Sequence, residues 1–212
     1  MVRVLGINAS TRTHGRTARL LEETLAAARA AGARSERVDL VRLNIPYCAA
    51  NYSEDPDACG PETCVRGEFD DWGRLSQRML EADALVFATP VYWFAPSARM
   101  KTLVERMTSL ENKGLLLAGK PYALLAAAEE DGASQAMAQL LVTFGFMGMV
   151  LAPLGLAYHH SRQHPDLEQD EDALSDARRA GKNLVELARR LASVSWAAVP
   201  SKTPPGSQAD AS

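Results

Sequence analysis

The chain has 212 residues, 47% of them hydrophobic, which is enough for one sizeable core and predicts a single α/β domain. Its formal net charge of -3 argues against the broad basic surface of a general nucleic-acid-binding protein. The sequence shows neither a signal-peptide pattern nor an apolar run of about 20 residues, so we expect a cytoplasmic protein outside the membrane.

Short apolar runs alternate with stretches of helical spacing along the chain. Strands are predicted at residues 2–7, 35–40, 84–89, 122–128 and 149–158. Helices are predicted at residues 17–31, 70–82, 97–110, 133–146 and 170–193. Because parallel neighbours need long, right-handed crossovers, this alternation predicts a doubly wound parallel sheet of five strands with helices on both faces.

The predicted domain occupies residues 1–195. Its five strands suit the order 2-1-3-4-5, and periodicity alone also permits another doubly wound order. Residues 196–212 are rich in Pro, Ser and Gly, which predicts a disordered tail. Residues 44–68, called the irregular segment below, are long for a connection and therefore suggest a functional role.

The sequence NASTRTHGRT, residues 8–17, lies where the first strand ends and the first helix begins. Ligands of open parallel sheets bind beyond the carboxyl ends of the strands, so this first loop is a candidate binding loop. It contains neither GxGxxG nor GxxxxGK[ST], which excludes a dinucleotide fingerprint and a Walker loop. Hydroxyl groups, arginines and the free N–H groups of a helix start together predict a cradle for a terminal phosphate. A polar turn with a Ser/Thr helix cap is the alternative.

The sequence PVYWFAP, residues 90–96, follows the buried third strand and contains three consecutive aromatic residues in a chain that is only 6% aromatic. Aromatic rings at the ligand-binding end of a sheet favour contact with a planar ligand. The alternatives are a subunit contact or a core anchor, since aromatic residues are also enriched at interfaces.

These two loops carry a family resemblance. GINASTRTHGRT, followed by LEADALVFATPVYWFAPSARMKTLVERM, resembles the NADPH-dependent FMN reductases, which are flavodoxin-like, over residues 2–158. The resemblance implies the strand order 2-1-3-4-5, bound FMN, NADPH or NADH as co-substrate, and a homodimer or a dimer of dimers. It implies FMN phosphate contacts at Ser10, Arg12, His14, Gly15, Arg16 and Thr17. It implies contacts with the flavin ring at Pro90, Val91, Tyr92, Trp93 and Phe94.

The third loop, AAEEDGASQ at residues 127–135, departs from the Gly- and Ser/Thr-rich loop of many relatives. Its position predicts cofactor contacts at Glu129, Asp131 and Gly132. The carboxylates disfavour a nearby phosphate, including that of a 2′-phosphorylated nicotinamide. They would instead bind a cation, pair with an arginine, or cap the next helix through Asp131, and capping is the favoured interpretation. The candidate ion-pair partners are Arg12, Arg99 and Arg162.

The three cysteines, Cys48, Cys59 and Cys64, all lie in the irregular segment. Iron–sulfur relatives in this superfamily carry four closely spaced cysteines there, and three widely spaced ones do not predict a cluster. Structural cysteines or a redox-sensitive thiol pair are favoured, with the segment forming a lid over the flavin or a subunit contact.

Three histidines, His159, His160 and His164, follow the fifth strand. They could bind a metal or a substrate. Because no paired carboxylates accompany them at helical spacing, a polar surface loop is favoured and no metal site is predicted.

The sequence therefore predicts an FMN-dependent oxidoreductase that takes hydride from NADH or NADPH and passes electrons to a quinone, a nitro- or azo-aromatic or free flavin. No catalytic side chain is nominated, because the flavin carries the chemistry. Two other functions stay open: a non-enzymatic electron carrier, and an FMN-binding sensor with a cysteine switch. The predicted partners are a small-molecule acceptor and a second copy of the chain, with no nucleic acid and no membrane.

Overall fold

The structure is a computed structural model that describes residues 1–196. The predicted disordered tail, apart from Trp196, lies outside the described residues. The strands of the described part are β1 (Arg3–Asn8), β2 (Arg34–Asp39), β3 (Ala84–Tyr92), β4 (Ala95–Pro96), β5 (Pro121–Ala128) and β6 (Val150–His160). Its helices are α1 (Arg16–Ala30), α2 (Trp72–Glu81), α3 (Ala98–Arg106), α4 (Thr108–Glu111), α5 (Ala133–Phe146) and α6 (Glu171–Leu191).

The sheet has the spatial order β2-β1-β3-β5-β6, and all of these neighbours are parallel. Counted among these five strands alone, the order is 2-1-3-4-5, so the predicted flavodoxin-like fold is confirmed. β4 was not predicted, and it pairs antiparallel with the end of β3, Val91 opposite Pro96 and Tyr92 opposite Ala95. A two-residue strand is too short to leave a periodic signal in the sequence.

The single helix predicted at residues 97–110 is wrong, because the chain forms α3 and α4 with a break at Met107. The Ser109 hydroxyl donates to the carbonyl oxygen of Arg106 at 2.9 Å and accepts the indole N–H of Trp72 at 3.0 Å. A serine that bonds the nearby backbone competes with the helical ladder. The break between α3 and α4 thus goes with a hydrogen bond to Trp72, which is distant in sequence, so the helical spacing of residues 97–110 does not reveal it.

Alternate residues of the central strands pack against opposite layers of helices. Leu5 and Phe87 belong to the core shared with α2, α3 and α5. Val4 and Val86 belong to the core shared with α1 and α6. Burial on both faces explains why the central strands are continuously apolar rather than alternating.

The layer formed by α1 and α6 is packed closely enough to require a glycine. A Cβ added to Gly181 of α6 would lie 2.1 Å from the carbonyl oxygen of Thr24 in α1. This contact fixes the two helices on one face of the sheet. No helix within residues 1–196 is long and apolar enough to cross a bilayer.

The irregular segment is held by Arg106, whose side chain is fully buried. Its guanidinium donates to the carbonyl oxygens of Pro46 at 2.9 Å and Cys64 at 2.5 Å. It also pairs with the Asp70 carboxylate at 2.7 Å and lies 5.4 Å from the centre of the Trp72 ring. One buried cation thus ties the beginning and the end of the segment to α3.

Candidate functional site

The first loop begins at the carboxyl end of β1, where Asn8 is fully buried. The Asn8 amide donates to the Asp39 carboxylate at 2.7 Å, and its side-chain oxygen accepts from the backbone N–H of Ser10 at 3.1 Å. The Ser10 hydroxyl then accepts from the backbone N–H of Arg12 at 3.1 Å. Hydrogen bonds to side chains inside the fold therefore set the path of the loop.

The loop ends at Gly15, the N-cap of α1, which has extended backbone angles and supplies no side-chain cap. The predicted alternative, a Ser/Thr cap, is therefore wrong. An uncapped helix start leaves backbone N–H groups of its first turn available, and the helix dipole favours an anion there. Thr17 in that turn is buried, so its hydroxyl is fixed near the helix start.

The two arginines of the first loop differ in their contacts. Arg16 donates to the carbonyl oxygen of Pro165 at 2.6 Å, which holds its guanidinium beside the helix start. The Arg12 guanidinium makes no hydrogen bond or ion pair with any other residue that the structure describes. A cation without a partner beside an uncapped helix is the arrangement that an anionic ligand would complete.

The second loop is a tight hairpin between β3 and β4. Its two central residues, Trp93 and Phe94, have positive φ angles of 51° and 61°. Both central residues of a type I′ hairpin turn need φ above zero, a conformation that costs free energy in residues other than glycine. A hydrogen bond joins the two sides of the hairpin: the hydroxyl oxygen of Thr89 accepts the backbone N–H of Ser97 at 3.0 Å.

The loops after β1, β3, β5 and β6 enclose one cavity of about 740 Å³, called the main cavity below. It lies at the carboxyl edge of the sheet, where ligands of this fold class bind. Its lining residues are Ser10, Arg12, Gly15, Arg16, Thr17, Pro90, Val91, Tyr92, Ala127, Ala128, Glu129, Glu130, Ser161 and Arg162. The two loops that the sequence singled out separately thus form walls of the same cavity.

Five of the predicted contact residues do not line the main cavity: His14, Trp93, Phe94, Asp131 and Gly132. His14 is exposed and lines a separate cavity of about 220 Å³. Trp93 is 94% exposed, which also excludes the core-anchor interpretation of the aromatic loop.

Asp131 is not the N-cap of α5, so that prediction is wrong. The N-cap is Gly132, with a positive φ of 91°, and the helix start has no side-chain cap. The Asp131 carboxylate instead accepts the backbone N–H of Gly132 at 2.7 Å. A Cβ added to Gly132 would lie 2.8 Å from the Cα of Phe94, so this position supports the aromatic hairpin through close backbone contact.

Charge in the main cavity is divided between two ends. Arg12 and Arg16 stand at the start of α1, whereas Glu129 and Glu130 follow β5. Glu130 forms an ion pair with Arg162, one of the predicted partners. The α1 end therefore suits an anion, and the β5 end does not.

The histidine prediction is wrong for His159, which is fully buried rather than part of a surface loop. β6 continues two residues beyond the predicted end, through His160. The Nδ1 atom of His159 lies 2.8 Å from the Asp170 carboxylate. Its Nε2 atom has no hydrogen-bond partner among the described residues. Within residues 1–196, no group of three or more His, Cys, Asp or Glu residues is placed to hold a metal ion.

The cysteines are all free thiols. Cys59 and Cys64 are buried, whereas Cys48 is half-buried. Burial, together with the nearby Cys64 thiol, raises the pKa of Cys59 to about 11. The neutral thiol is therefore favoured near neutral pH, and Cys59 is not poised as a thiolate nucleophile.

The chain is similar to known proteins in both sequence and structure. An iron-sulfur flavoprotein of Methanocaldococcus jannaschii is 24% identical over 198 residues, which cover 90% of this chain and 99% of the relative. An iron-sulfur flavoprotein of Archaeoglobus fulgidus is 32% identical over 110 residues, which cover 50% of this chain and 46% of the relative. The chain thus aligns with about half the length of the second protein.

A solved structure, RosB with bound 8-demethyl-8-formylriboflavin-5′-phosphate, superposes with a TM-score of 0.76 at 23% identity. The superposition covers 91% of this chain and 81% of RosB, and it shows a shared fold. The sequence model of the NADPH-dependent FMN reductases matches residues 2–163, which include every loop of the main cavity. The chain belongs to the NADPH-dependent FMN reductase family.

Proposed function

We propose that this protein is an FMN-dependent NAD(P)H oxidoreductase that passes electrons to a quinone, a nitro- or azo-aromatic or free flavin. The observation that carries the proposal is the main cavity, which is lined by an uncapped helix start with two arginines and by the hairpin after β3. FMN has the corresponding parts, a terminal phosphate and a planar ring. When bound, FMN supplies the hydride and electron transfer chemistry.

The residues present fit this cofactor. The phosphate would be held by the N–H groups at the start of α1 and by the side chains beside them, Ser10, Arg12, Arg16 and Thr17. The ring would lie along Pro90, Val91 and Tyr92, which form the hairpin side of the cavity. The protein's own task is to bind and orient the cofactor, and no side chain is required to move a proton for hydride transfer.

The phosphate assignment is tested by measuring FMN affinity in Arg12→Ala and Thr17→Ala variants. Loss of the Arg12 guanidinium should weaken binding by roughly tenfold, since a charge-assisted hydrogen bond is lost at a partly exposed site. Arg19→Ala is the matched control, because Arg19 lies on α1, which follows this loop, and pairs with Glu168 instead. Unchanged affinity in both loop variants would refute the assignment.

Turnover separates the enzyme from the two other functions. Steady-state oxidation of NADH and NADPH by the FMN-loaded protein is measured with a quinone and an azo dye as acceptors. Glu129 in the main cavity disfavours a second phosphate, so both donors are needed in the comparison. No turnover with either donor would favour an electron carrier or a sensor instead.

The iron–sulfur cluster named in the relatives does not fit this chain. A cluster of this kind needs four thiolate ligands, and the sequence has three cysteines. Within residues 1–196, moreover, no group of three or more His, Cys, Asp or Glu residues is placed to hold a metal ion. We therefore propose flavin as the redox group of this protein without a cluster, which iron analysis of the purified protein checks.

A second copy of the chain is the proposed protein partner. The sequence of α5, ASQAMAQLLVTFGF, contains no charged residue, and Val142 on it is 75% exposed. Trp93 and Phe94 are exposed on the hairpin that packs against the start of this helix. Light scattering should find a dimer that Val142→Glu weakens, whereas Lys182→Glu on α6 should have no effect.

A further inference from the structure

A second cavity, of about 480 Å³, lies beside the main cavity. We call it the apolar cavity. Along the first loop, Ala9 and Thr11 line the apolar cavity, whereas Ser10 and Arg12 line the main cavity. Tyr92 lines both. The two spaces therefore adjoin on either side of the first loop and meet at Tyr92.

The walls of the apolar cavity suit flat, nonpolar surface. Leu40, Leu43 and Ile45 line one side, from the connection that follows β2. Tyr47 and Tyr92 add aromatic rings. Apolar and aromatic walls of this kind, in a volume between about 300 and 1,000 Å³, are typical of small-molecule sites.

This wall is anchored rather than loose. Pro46, which also lines the cavity, has its carbonyl oxygen bonded at 2.9 Å to the buried Arg106. Leu40 is itself buried in the core of the fold. Two residues of the apolar wall are therefore held in place by the core of the fold.

Among the described residues, Arg99 on α3 is the one charged side chain that lines the apolar cavity, and no acidic residue of this part of the chain lines it. Within residues 1–196 the Arg99 guanidinium has no hydrogen-bond or ion-pair partner. Lys101, two residues along the same helix, is by contrast neutralised by Glu105 at 2.6 Å. The cavity thus presents an uncompensated positive charge at an apolar surface.

We propose that the apolar cavity binds a planar aromatic anion, an arene that carries one carboxylate or sulfonate group. Its rings would lie on the apolar wall and its acidic group at Arg99, with the Thr11 and Thr102 hydroxyls as further hydrogen-bonding groups. The assignment of this ligand as the electron acceptor rests on the proposed function, because the cavity adjoins the space assigned to FMN. The ligand class narrows the acceptor to quinones and nitro- or azo-aromatics that also carry an acidic group, in which the quinone, nitro or azo group takes up the electrons.

The test compares two probes that share a ring system, anthraquinone-2-sulfonate and the neutral 2-(hydroxymethyl)anthraquinone. Calorimetric titration of the FMN-loaded protein, without NAD(P)H, measures binding apart from turnover. Arg99→Gln should weaken sulfonate binding roughly fivefold, as expected for one solvent-accessible ion pair, and leave the neutral probe unchanged. Arg99→Lys should restore part of the loss, and Lys101→Gln is the matched control with no effect on either probe.

A second variant tests the location. Ala98 lines the apolar cavity at the start of α3, and Ala98→Trp should weaken both probes by filling the space. Equal responses of the two probes to Arg99→Gln, or full binding in Ala98→Trp, would overturn the proposal. If charge-dependent binding persists but NAD(P)H is not oxidised, the proposed function fails and the site stands.

Discussion

Replacing Arg106 with methionine should be among the most damaging single changes to the stability of this protein. The side chain is fully buried, and its loss leaves the Asp70 carboxylate and the carbonyl oxygens of Pro46 and Cys64 without this donor. Removing one partner of a buried ion pair costs about 3–5 kcal/mol, because the other charge stays buried and uncompensated. That is a large part of a typical domain's total stability of about 5–15 kcal/mol.

Urea unfolding followed by circular dichroism measures this loss as a fall in the midpoint at unchanged slope. Lys101→Met is the control on the same helix, since its exposed pair with Glu105 should contribute only about 0.3–0.5 kcal/mol. Arg106→Lys should recover little, because an ammonium cannot match the planar fork of donors. A loss below about 1 kcal/mol in Arg106→Met would refute the reasoning, since exposed pairs already reach that value.

The ion pair between Arg106 and Asp70 also predicts that the free energy of unfolding depends on pH. Burial alone raises the pKa of Asp70, but the hydrogen bonds from Arg106 and from the backbone N–H groups of Trp72 and Arg66 outweigh it, and the net pKa lies below the ordinary 3.8. A carboxyl whose pKa is lower in the folded state stabilises the fold above its unfolded pKa. The contribution of Asp70 to the free energy of unfolding should therefore be present above pH 4 and disappear as the pH falls through the folded pKa. In urea unfolding at a series of pH values, Asp70→Asn should reduce the loss of stability on acidification.

Three further predictions concern other parts of the fold. Burial lowers the pKa of Lys120 from 10.5 to about 8. The free energy of unfolding should therefore rise as the pH increases from about 8 to 10.5, and in urea unfolding Lys120→Met should lack this rise. When the native protein is titrated with 5,5′-dithiobis(2-nitrobenzoate), Cys48 should react before Cys59, because Cys59 is buried and its pKa is raised to about 11. Equal reaction rates of the two thiols would contradict the burial of Cys59. Gly181→Ala should lower the melting temperature, because its Cβ would lie 2.1 Å from a backbone oxygen of α1, whereas Gly145→Ala, with nothing within 4 Å, should stabilise α5 by about 0.5–1 kcal/mol.

Much of the fold could be predicted from the sequence because its signals are local. The apolar run before NASTRTHGRT and the helical spacing after it mark a strand, a loop and a helix within 31 residues. The same pattern repeats through α5, whose predicted bounds at residues 133–146 are confirmed. The two candidate binding loops could be located from their composition and their position, because ligands of parallel sheets bind where strands end.

Other features depended on contacts between distant residues. Asp131 has the residue type of a helix cap, yet the backbone turns at Gly132 to meet Phe94 of the hairpin, and the cap moves with it. His159 looks like a surface residue until β6 is extended by pairing with β5 and Asp170 comes within 2.8 Å.

The sequence by itself determined the five parallel strands and most of the helices between them, the fold class and the two loops that flank the main cavity, because periodicity and turn composition act over short stretches of chain. Only the tertiary structure decided which side chains of those loops line the cavity, and it revealed the apolar cavity beside it. That cavity combines the connection after β2, the hairpin after β3 and the start of α3. Their proximity is set by long-range packing around Arg106, which no local pattern encodes.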